Sequence, residues 1–296
     1  MAHCIAVIGL GSMGSGMAQS CLRAGLTTHG FDTRPEAMDR FVAEGGAKGS
    51  LADAAPTLDA AAIVVLNAAQ TQSVLDDLLP RMKPGAVVLA CATVPPDFAR
   101  DMAAKASGYG IHYLDAPISG GSIKAAAGQL SIMASGSEDA FAAARPALDA
   151  MSETVFRIGD TPGAGSAMKA VNQLLAGVHI ATMAEAMTFG ISQGITPETF
   201  MEVIPNCAGS SWMLENRGPH IVEGDYTPHS QINIWPKDLG IVLAIAEAAG
   251  FNAPITQTAL ARYQKAVEMG LGTTDDAAVA RVYAGEAGLK LPGDET

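Results

Sequence analysis

A change of pattern divides this chain at Gly159-Asp160-Thr161-Pro162-Gly163-Ala164-Gly165-Ser166-Ala167-Met168-Lys169-Ala170-Val171-Asn172-Gln173. Before this stretch, short apolar runs alternate with amphipathic segments, and after it nearly every segment has helical spacing. The proline and glycines are typical of a helix start, and no proline follows from Ser166 to about Gln193. The sequence therefore predicts a long helix that links a first domain, residues 1–161, to an all-helical second domain, residues 162–296.

A lysine stands inside the apolar part of this predicted helix. Lys169, Asn172 and Gln173 share one face of its first turns. The whole chain has only 18 lysines and arginines, so a lysine among Ala, Met, Val and Leu is informative. Such a side chain either extends its ammonium to water or is held in place for chemistry, and the residues alone leave both interpretations open.

The N-terminal region carries the pattern of a dinucleotide site. A strand-like run, Cys4 to Ile8, leads into Gly9-Leu10-Gly11-Ser12-Met13-Gly14, and a helical segment follows from Ser15 to Ala24. In this order the first glycine permits a tight turn, the second lets the backbone approach a pyrophosphate, and the third lets helix and strand pack closely. The helix N-terminus adds N–H donors and a positive dipole end. An ordinary glycine turn is the alternative.

An acidic residue follows at the expected distance. The second predicted strand, Thr27 to Phe31, ends at Asp32, where a carboxylate would accept hydrogen bonds from ribose hydroxyls. A carboxylate at this position also repels a 2′-phosphate, so the sequence predicts NAD rather than NADP. Arg34 qualifies this prediction, because a guanidinium there could pair with such a phosphate.

The alternation of strands and helices continues to residue 158 and predicts a doubly wound, Rossmann-type α/β sheet. The further strands are predicted at Ile63 to Leu66, Ala86 to Ala90, Ile111 to Leu114, Leu130 to Ala134 and Thr154 to Ile158, with helices such as Gln72 to Met82 and Pro96 to Ser107 between them. Ligands bind beyond the carboxyl ends of such strands, which makes Asn67 and Thr93 candidate cofactor contacts. Plain loop capping explains both residues equally well.

Two further segments carry polar groups that suit a small acid. Ser119-Gly120-Gly121 can present a hydroxyl and consecutive backbone N–H groups to a carboxylate, although such a stretch is more often just a turn. In the second region, helices are predicted at Pro197 to Ile204, Ser211 to Glu223, Pro236 to Ala249 and Ile255 to Met269, with no strand pattern. Lys237 lies in the first turn of one of them, where a cation opposes the helix dipole. A surface lysine paired with a neighbouring residue is the alternative.

Composition excludes several classes of partner. The formal net charge of −12 repels phosphate backbones and acidic lipid surfaces, so we expect neither nucleic acid nor membrane partners. Four widely spaced cysteines without a CxxC pair, and histidines without metal spacing, predict reduced thiols and no metal site. No basic segment precedes an apolar run at the N-terminus, which favours a cytoplasmic protein.

Four motifs together carry a family resemblance: Gly9 to Gly14, Asp115-Ala116-Pro117-Ile118-Ser119-Gly120-Gly121, Gly163-Ala164-Gly165 leading to Lys169 and Asn172, and Lys237-Asp238-Leu239-Gly240. In this order they resemble the β-hydroxyacid dehydrogenase family, whose members include 3-hydroxyisobutyrate dehydrogenase, and they cover nearly the whole chain. Residues 208–240 are most similar to the L-threonate dehydrogenases.

The resemblance implies roles for individual residues. It implies that the glycine turn and Asp32 hold NAD, that Thr93 and Lys237 also reach the cofactor, and that Ser119, Gly120 and Gly121 bind the substrate carboxylate. It also implies that Lys169 is the catalytic acid/base, positioned with Asn172. Gln173, a further candidate for substrate binding, stands where many relatives have a second Asn, and Pro236 replaces a usual apolar residue, so substrate choice is the less certain expectation.

The expected reaction is hydride transfer from a short hydroxy acid of the L-threonate or 3-hydroxyisobutyrate type to NAD⁺, with Lys169 taking the hydroxyl proton. Desolvation in the apolar helix face and the positive nicotinamide would both lower the pKa of that lysine. The alternatives are a tartronate or succinic semialdehyde reductase, an imine reductase, and a non-catalytic NAD-binding module. We expect a homodimer or homotetramer.

Overall fold

The computed structural model describes residues 3–294. In the first region, strands and helices alternate as the sequence predicts. The strands are β1 Cys4–Ile8, β2 Thr27–Phe31, β3 Ala60–Ile63, β4 Val87–Ala90, β5 His112–Asp115, β6 Ile118–Ser119, β7 Leu130–Ser135 and β8 Ser152–Gly159. The helices are α1 Gly14–Arg23, α2 Pro35–Ala43, α3 Leu51–Ala54, α4 Ala68–Leu78, α5 Pro96–Ser107, α6 Gly121–Ala127, α7 Glu138–Met151, α8 Ala164–Ser192, α9 Pro197–Val203, α10 Trp212–Glu223, α11 Ile234–Ala248, α12 Pro254–Glu268 and α13 Ala280–Ala287.

The strands form one sheet in the order β2-β1-β3-β4-β5-β7-β6, with β8 beside β7. Strands β1 to β5 are parallel, while β7 runs antiparallel to β5 and β6 and parallel to β8. The predicted Rossmann-type sheet is therefore confirmed. The short strand β6 and the antiparallel edge were not predicted, because two residues before a glycine pair carry no alternation that a sequence pattern could reveal.

Both faces of the sheet are covered. Alternate residues of β1 belong to different apolar cores, with Ile5 and Val7 in one and Ala6 and Ile8 in the other. Side chains of a strand point alternately to opposite faces, so this division shows helices packed on each side of the sheet.

The register brings the carboxyl ends of four parallel strands to the same level. Ile8 pairs with Ile63, Ile63 with Ala90, and Ala90 with Asp115. The loops that follow these strands consequently start at one edge of the sheet, where open α/β sheets bind their ligands.

One predicted strand is displaced along the chain. The prediction at Ile63 to Leu66 is wrong, since β3 spans Ala60–Ile63, and the helix predicted from Gln72 to Met82 correspondingly forms as Ala68–Leu78. The run Val64-Val65 has the stronger strand preference, but the residues Ala60 to Ile63 are completely buried between β1 and β4. Tertiary pairing overrides the local preference here.

The second region is helical, and the predicted long helix is confirmed as α8, Ala164–Ser192. Among the described residues of this second region, β-type backbone pairing is limited to one isolated bridge between Gln231 and Asp275. Helix α8 is long and apolar enough to cross a membrane by length and composition, a test that core helices of soluble proteins also meet. Its residues Ile180, Met183 and Met187 lie in the second region's apolar core.

Two compact units, Met1–Lys169 and Ala170–Thr296, divide inside α8. The predicted division after residue 161 stays a prediction. The first turn of α8 goes with the first unit because hydrogen bonds from Gly163 and Ser166 tie it to Asp115, at the end of β5.

Candidate active site

The glycine turn after β1 is built on two close backbone contacts. A Cβ on Gly9 would lie 2.2 Å from the backbone oxygen of Val64, and its φ of +100° also favours glycine. A Cβ on Gly14 would lie 1.8 Å from the oxygen of Gly9. The first and third glycines are therefore required by the fold itself, as the sequence predicts.

The second glycine has no such internal reason. A Cβ on Gly11 would meet nothing within 4 Å, and Gly11 and Ser12 are exposed. Helix α1 begins at Gly14 after Met13, and no side chain caps it. An uncapped helix start with open space in front of it fits the pyrophosphate of a dinucleotide, which would accept hydrogen bonds from the backbone N–H groups.

Asp32 lies next to this turn and is held in a fixed orientation. Its Oδ2 accepts a hydrogen bond of 2.8 Å from the backbone N–H of Leu10, and its Oδ1 accepts one of 2.9 Å from Nε of Arg34. The hydrogen bond from Arg34 is the main cause that lowers the pKa of Asp32 to about 2. Arg34, considered above as a possible phosphate partner, instead pairs with the carboxylate and also donates to the oxygen of Leu10.

The Ser119-Gly120-Gly121 turn connects β6 to α6. Gly120 has a φ of +132° and Gly121 a φ of +76°, conformations that L side chains rarely adopt. Helix α6 packs closely on α1, because a Cβ on Gly16 would lie 2.6 Å from the nitrogen of Ala126. The turn that would bind a carboxylate is thus fixed beside the helix that follows the glycine turn.

Asp115 fastens the start of α8 to the end of β5. Its Oδ2 accepts hydrogen bonds of 2.8 Å from the backbone N–H groups of both Gly163 and Ser166, and its Oδ1 accepts one of 2.7 Å from Oγ of Ser166. Ser135 extends the contact by accepting from the N–H of Gly165. Burial raises the pKa of Asp115 above its ordinary value, although the hydrogen bonds to the carboxylate act to lower it. A carboxylate here satisfies N–H groups that a helix start leaves unpaired.

Lys169 lies one turn beyond this attachment. Only 8% of it is exposed, and its Nζ donates a hydrogen bond of 2.9 Å to the backbone oxygen of Ile118. Ile118 directly precedes Ser119, so the structure brings the buried ammonium beside the Ser119-Gly120-Gly121 turn. Of the two interpretations that the sequence leaves open, the structure excludes an ammonium extended into water.

Further along α8, within the second unit, two of the predicted residues contact each other. Asn172 donates from Nδ2 to Oε1 of Gln173 at 2.9 Å, and Gln173 donates from Nε2 to Oδ2 of Asp238 at 2.5 Å. Lys237 forms an ion pair of 2.5 Å with Oδ1 of the same carboxylate. Asp238 is thus the partner that explains how a lysine is held in the first turn of α11.

Asn67 and Thr93 both lie beyond carboxyl ends of strands. The side chain of Asn67 accepts a hydrogen bond of 2.9 Å from the N–H of Gln70 and caps α4. Thr93 is half-buried in the loop between β4 and α5. A capping role is established for Asn67, and cofactor contact stays a prediction for both residues.

Sequence reasoning missed the supporting roles of Gly16, Asp115 and Asp238. A glycine inside a helical segment costs helix stability, which is a local signal that Gly16 serves close packing. Asp115 and Asp238 lie inside two of the motifs that carry the family resemblance. Their hydrogen-bond partners are distant in sequence, so no local pattern reveals these contacts. Within residues 3–294, no group of three or more His, Cys, Asp or Glu side chains comes together as a possible metal site.

Two family models match this chain, one in each of its two regions. Residues 4–159 match the family model described as the NAD binding domain of 6-phosphogluconate dehydrogenase. Residues 163–283 match the model described as NAD-binding of NADP-dependent 3-hydroxyisobutyrate dehydrogenase. The chain is 44% identical to an L-threonate dehydrogenase of Cupriavidus necator, over 99% of each chain.

Solved structures are similar over nearly the whole length. A 3-hydroxyisobutyrate dehydrogenase from Salmonella typhimurium is 47% identical with a TM-score of 0.90, covering 95% of this chain and 99% of that one. A Mycobacterium tuberculosis 3-hydroxyisobutyrate dehydrogenase, solved with L-serine, is 29% identical with a TM-score of 0.85, covering 96% and 99%.

Proposed function

The chain belongs to the β-hydroxyacid dehydrogenase family and is an NAD-dependent hydroxy acid dehydrogenase, and from this premise we propose that it oxidises L-threonate or a similar short hydroxy acid with Lys169 as the general base. The similarity to L-threonate dehydrogenases supports this substrate. 3-Hydroxyisobutyrate is the second candidate, because the Salmonella structure bears that name. The observation that carries the proposal is the buried Lys169 ammonium, 2.9 Å from the backbone oxygen of Ile118, beside the Ser119 turn.

The first unit supplies the cofactor contacts in this proposal. Bound NAD⁺ supplies the hydride acceptor. The backbone from Gly9 to Gly14 holds the pyrophosphate, with Gly11 leaving room for close approach, and Asp32 accepts hydrogen bonds from the ribose hydroxyls. Asn67, Thr93 and Lys237 are further proposed contacts. Support for NAD over NADP comes from the orientation of Asp32, which Leu10 and Arg34 fix in the ionised form.

The substrate contacts follow from the arrangement around Lys169. Ser119, Gly120 and Gly121 bind the substrate carboxylate through a hydroxyl and backbone N–H groups. Lys169, in its neutral form, takes the proton of the hydroxyl group that is oxidised and returns it in the reverse reaction. Asn172, three residues further along the same helix, holds the ammonium or a substrate hydroxyl. The low exposure of Lys169 supports this role, because its amine is shielded from bulk water beside the turn that binds the substrate.

The experiment that tests the proposal is a panel of three- to five-carbon hydroxy acids, followed at 340 nm with NAD⁺ and with NADP⁺. We expect the highest kcat/KM with L-threonate and NAD⁺. Highest activity with 3-hydroxyisobutyrate, or with tartronate or succinic semialdehyde and NADH, would reassign the substrate. Reduction of cyclic imines without activity on hydroxy acids would overturn the proposal, and NAD binding without any turnover would indicate a non-catalytic module.

We also propose that the protein forms a homodimer or homotetramer in the cytoplasm. Helix α8 exposes apolar side chains on one face, where Val171 is 54%, Leu175 48% and Phe189 66% exposed. Exposed apolar surface of this kind is typical of subunit contacts. Light scattering coupled to size-exclusion chromatography tests the assembly, and Phe189→Glu is expected to shift it toward the monomer.

A further inference from the structure

A buried carboxylate on α11 determines how the neighbouring amide on α8 is oriented. Asp238 is 2% exposed, with Lys237 at one carboxylate oxygen and Gln173 at the other. A carboxylate paired with an ammonium only accepts hydrogen bonds. Gln173 must therefore present its NH₂ group to Asp238, and its amide cannot rotate without placing two oxygens against each other.

The same constraint passes to the next amide. With Nε2 of Gln173 facing Asp238, its Oε1 is left to face Asn172, which must donate from Nδ2. The carbonyl oxygen of Asn172 consequently points away from Gln173. Through the two amides, Asp238 thus determines that the carbonyl oxygen of Asn172, rather than its NH₂ group, remains available to a ligand.

The approach of the two helices depends on a glycine one turn beyond Gln173. A Cβ on Gly177 would lie 2.9 Å from side-chain atoms of both Leu239 and Trp235 on α11.

The contact between Gln173 and Asp238 also depends on the length of the glutamine side chain. An asparagine is one methylene shorter, which would lengthen the 2.5 Å contact with Asp238 by about 1.5 Å and break it.

We infer that Gln173 is a positioning residue that turns the carbonyl oxygen of Asn172 toward the substrate, where it accepts a hydrogen bond from a hydroxyl group that is not itself oxidised. This inference rests on the proposed function and deepens it, because it selects polyhydroxy acids over acids that carry only the reacting hydroxyl. It differs from direct substrate binding by Gln173, whose two amide ends are both engaged within the protein.

The activity test compares L-threonate with deoxy analogues that each lack one non-reacting hydroxyl. We expect the wild type to prefer L-threonate over one analogue by about tenfold or more in kcat/KM, and Gln173→Asn to reduce that preference to about twofold. A merely structural defect would lower both rates together and leave the ratio unchanged. Gln193→Asn, the same substitution at an exposed glutamine just beyond α8, is the control and should keep the wild-type ratio.

A length exchange tests the contact itself. Asp238→Glu adds the methylene that Gln173→Asn removes, so the double variant should recover most of the preference that Gln173→Asn loses. If Gln173 instead bound substrate directly, the glutamate would restore nothing. A wild type that does not distinguish L-threonate from any of its analogues would also overturn the inference.

Urea unfolding provides a readout independent of activity. Each single variant should lower the unfolding midpoint, and the double variant should recover much of that loss, because the residues contact each other. Additive shifts would overturn the positioning role of Gln173 even in an active enzyme. A wild type that oxidises no hydroxy acid would overturn the proposed function and the acceptor role of Asn172, while the urea result would still decide whether Gln173 and Asp238 are coupled.

Discussion

The Nζ atom of Lys169 lies 2.9 Å from the backbone oxygen of Ile118, the residue before the Ser119-Gly120-Gly121 turn. Two segments about 50 residues apart in sequence thus meet at one buried ammonium. Because this contact carries the proposed chemistry, it is also where the proposal is most directly tested.

Lys169→Ala should abolish proton transfer and leave cofactor binding intact. We expect kcat to fall by about 10³-fold, the size of a general-base contribution, with little change in the Kd for NADH. Stopped-flow kinetics and calorimetry measure the two quantities. Lys48→Ala, at an exposed lysine in the loop before α3, is the matched control. Turnover at the parental rate would contradict the assignment.

Asp115→Asn should loosen the start of α8. The carboxylate accepts from Gly163 and Ser166 with both of its oxygens, whereas an amide has one oxygen, so either the N–H groups or the hydroxyl of Ser166 must give up its present acceptor. We expect a loss of about 2 kcal/mol in the free energy of unfolding, together with a lower kcat because Lys169 is displaced. Urea titration measures the first effect. Asp160→Asn, at an exposed aspartate, should change neither quantity.

Gly11→Ala and Gly14→Ala should separate cofactor binding from folding. A Cβ at residue 11 meets open space, so Gly11→Ala should retain stability and weaken NAD⁺ binding by about tenfold. A Cβ at residue 14 lies against the oxygen of Gly9, so Gly14→Ala should cost about 3 kcal/mol of stability. Thermal melts and calorimetry distinguish the two. Unchanged NAD⁺ affinity in Gly11→Ala would remove the role proposed for that glycine.

Asp32→Ser should shift the enzyme toward NADP⁺. The substitution removes the carboxylate that accepts ribose hydroxyls and releases Arg34, which now pairs with Asp32 and could then bind a 2′-phosphate. We expect the ratio of kcat/KM for NADP⁺ over NAD⁺ to rise by at least about tenfold. Asp39→Asn removes the same charge from the exposed side of α2 and should leave the ratio unchanged.

His220 should make stability depend on pH. Its hydrogen bond with Asp275 raises the pKa of His220 above the ordinary 6.5, and His220 in turn helps lower that of Asp275 to about 2. The other ionisable groups near it are Arg217, Asp225, Asp276 and His229. A raised histidine pKa gives stability that is fully present below pH 6.5 and is lost as pH rises through the folded value.

The measurement is urea unfolding of wild type and His220→Asn at pH 6 and pH 9. We expect the variant to be less stable by about 1 kcal/mol more at pH 6 than at pH 9. His179→Asn on α8 is the control substitution. An equal difference at both pH values would show that the ion pair with Asp275 contributes nothing.

Much of this protein is determined by local sequence. The order of β1, the glycine turn and α1, the position of Asp32, and the unbroken apolar spacing of α8 each depend on residues close together in the chain, so the pattern alone predicts them. Within the glycine turn, the sequence also predicts correctly that Gly9 and Gly14 serve the fold, as their backbone contacts show.

Only the tertiary structure decided where β3 lies and which residues hold the site together. The alanines of β3 have little strand preference and become a strand because β1 and β4 flank them. Asp115 reaches Ser166 across 51 positions, and Gln173 reaches Asp238 across 65. Propensity and periodicity act over a few residues, whereas a buried carboxylate takes its partners from whichever segments the packed fold brings to it.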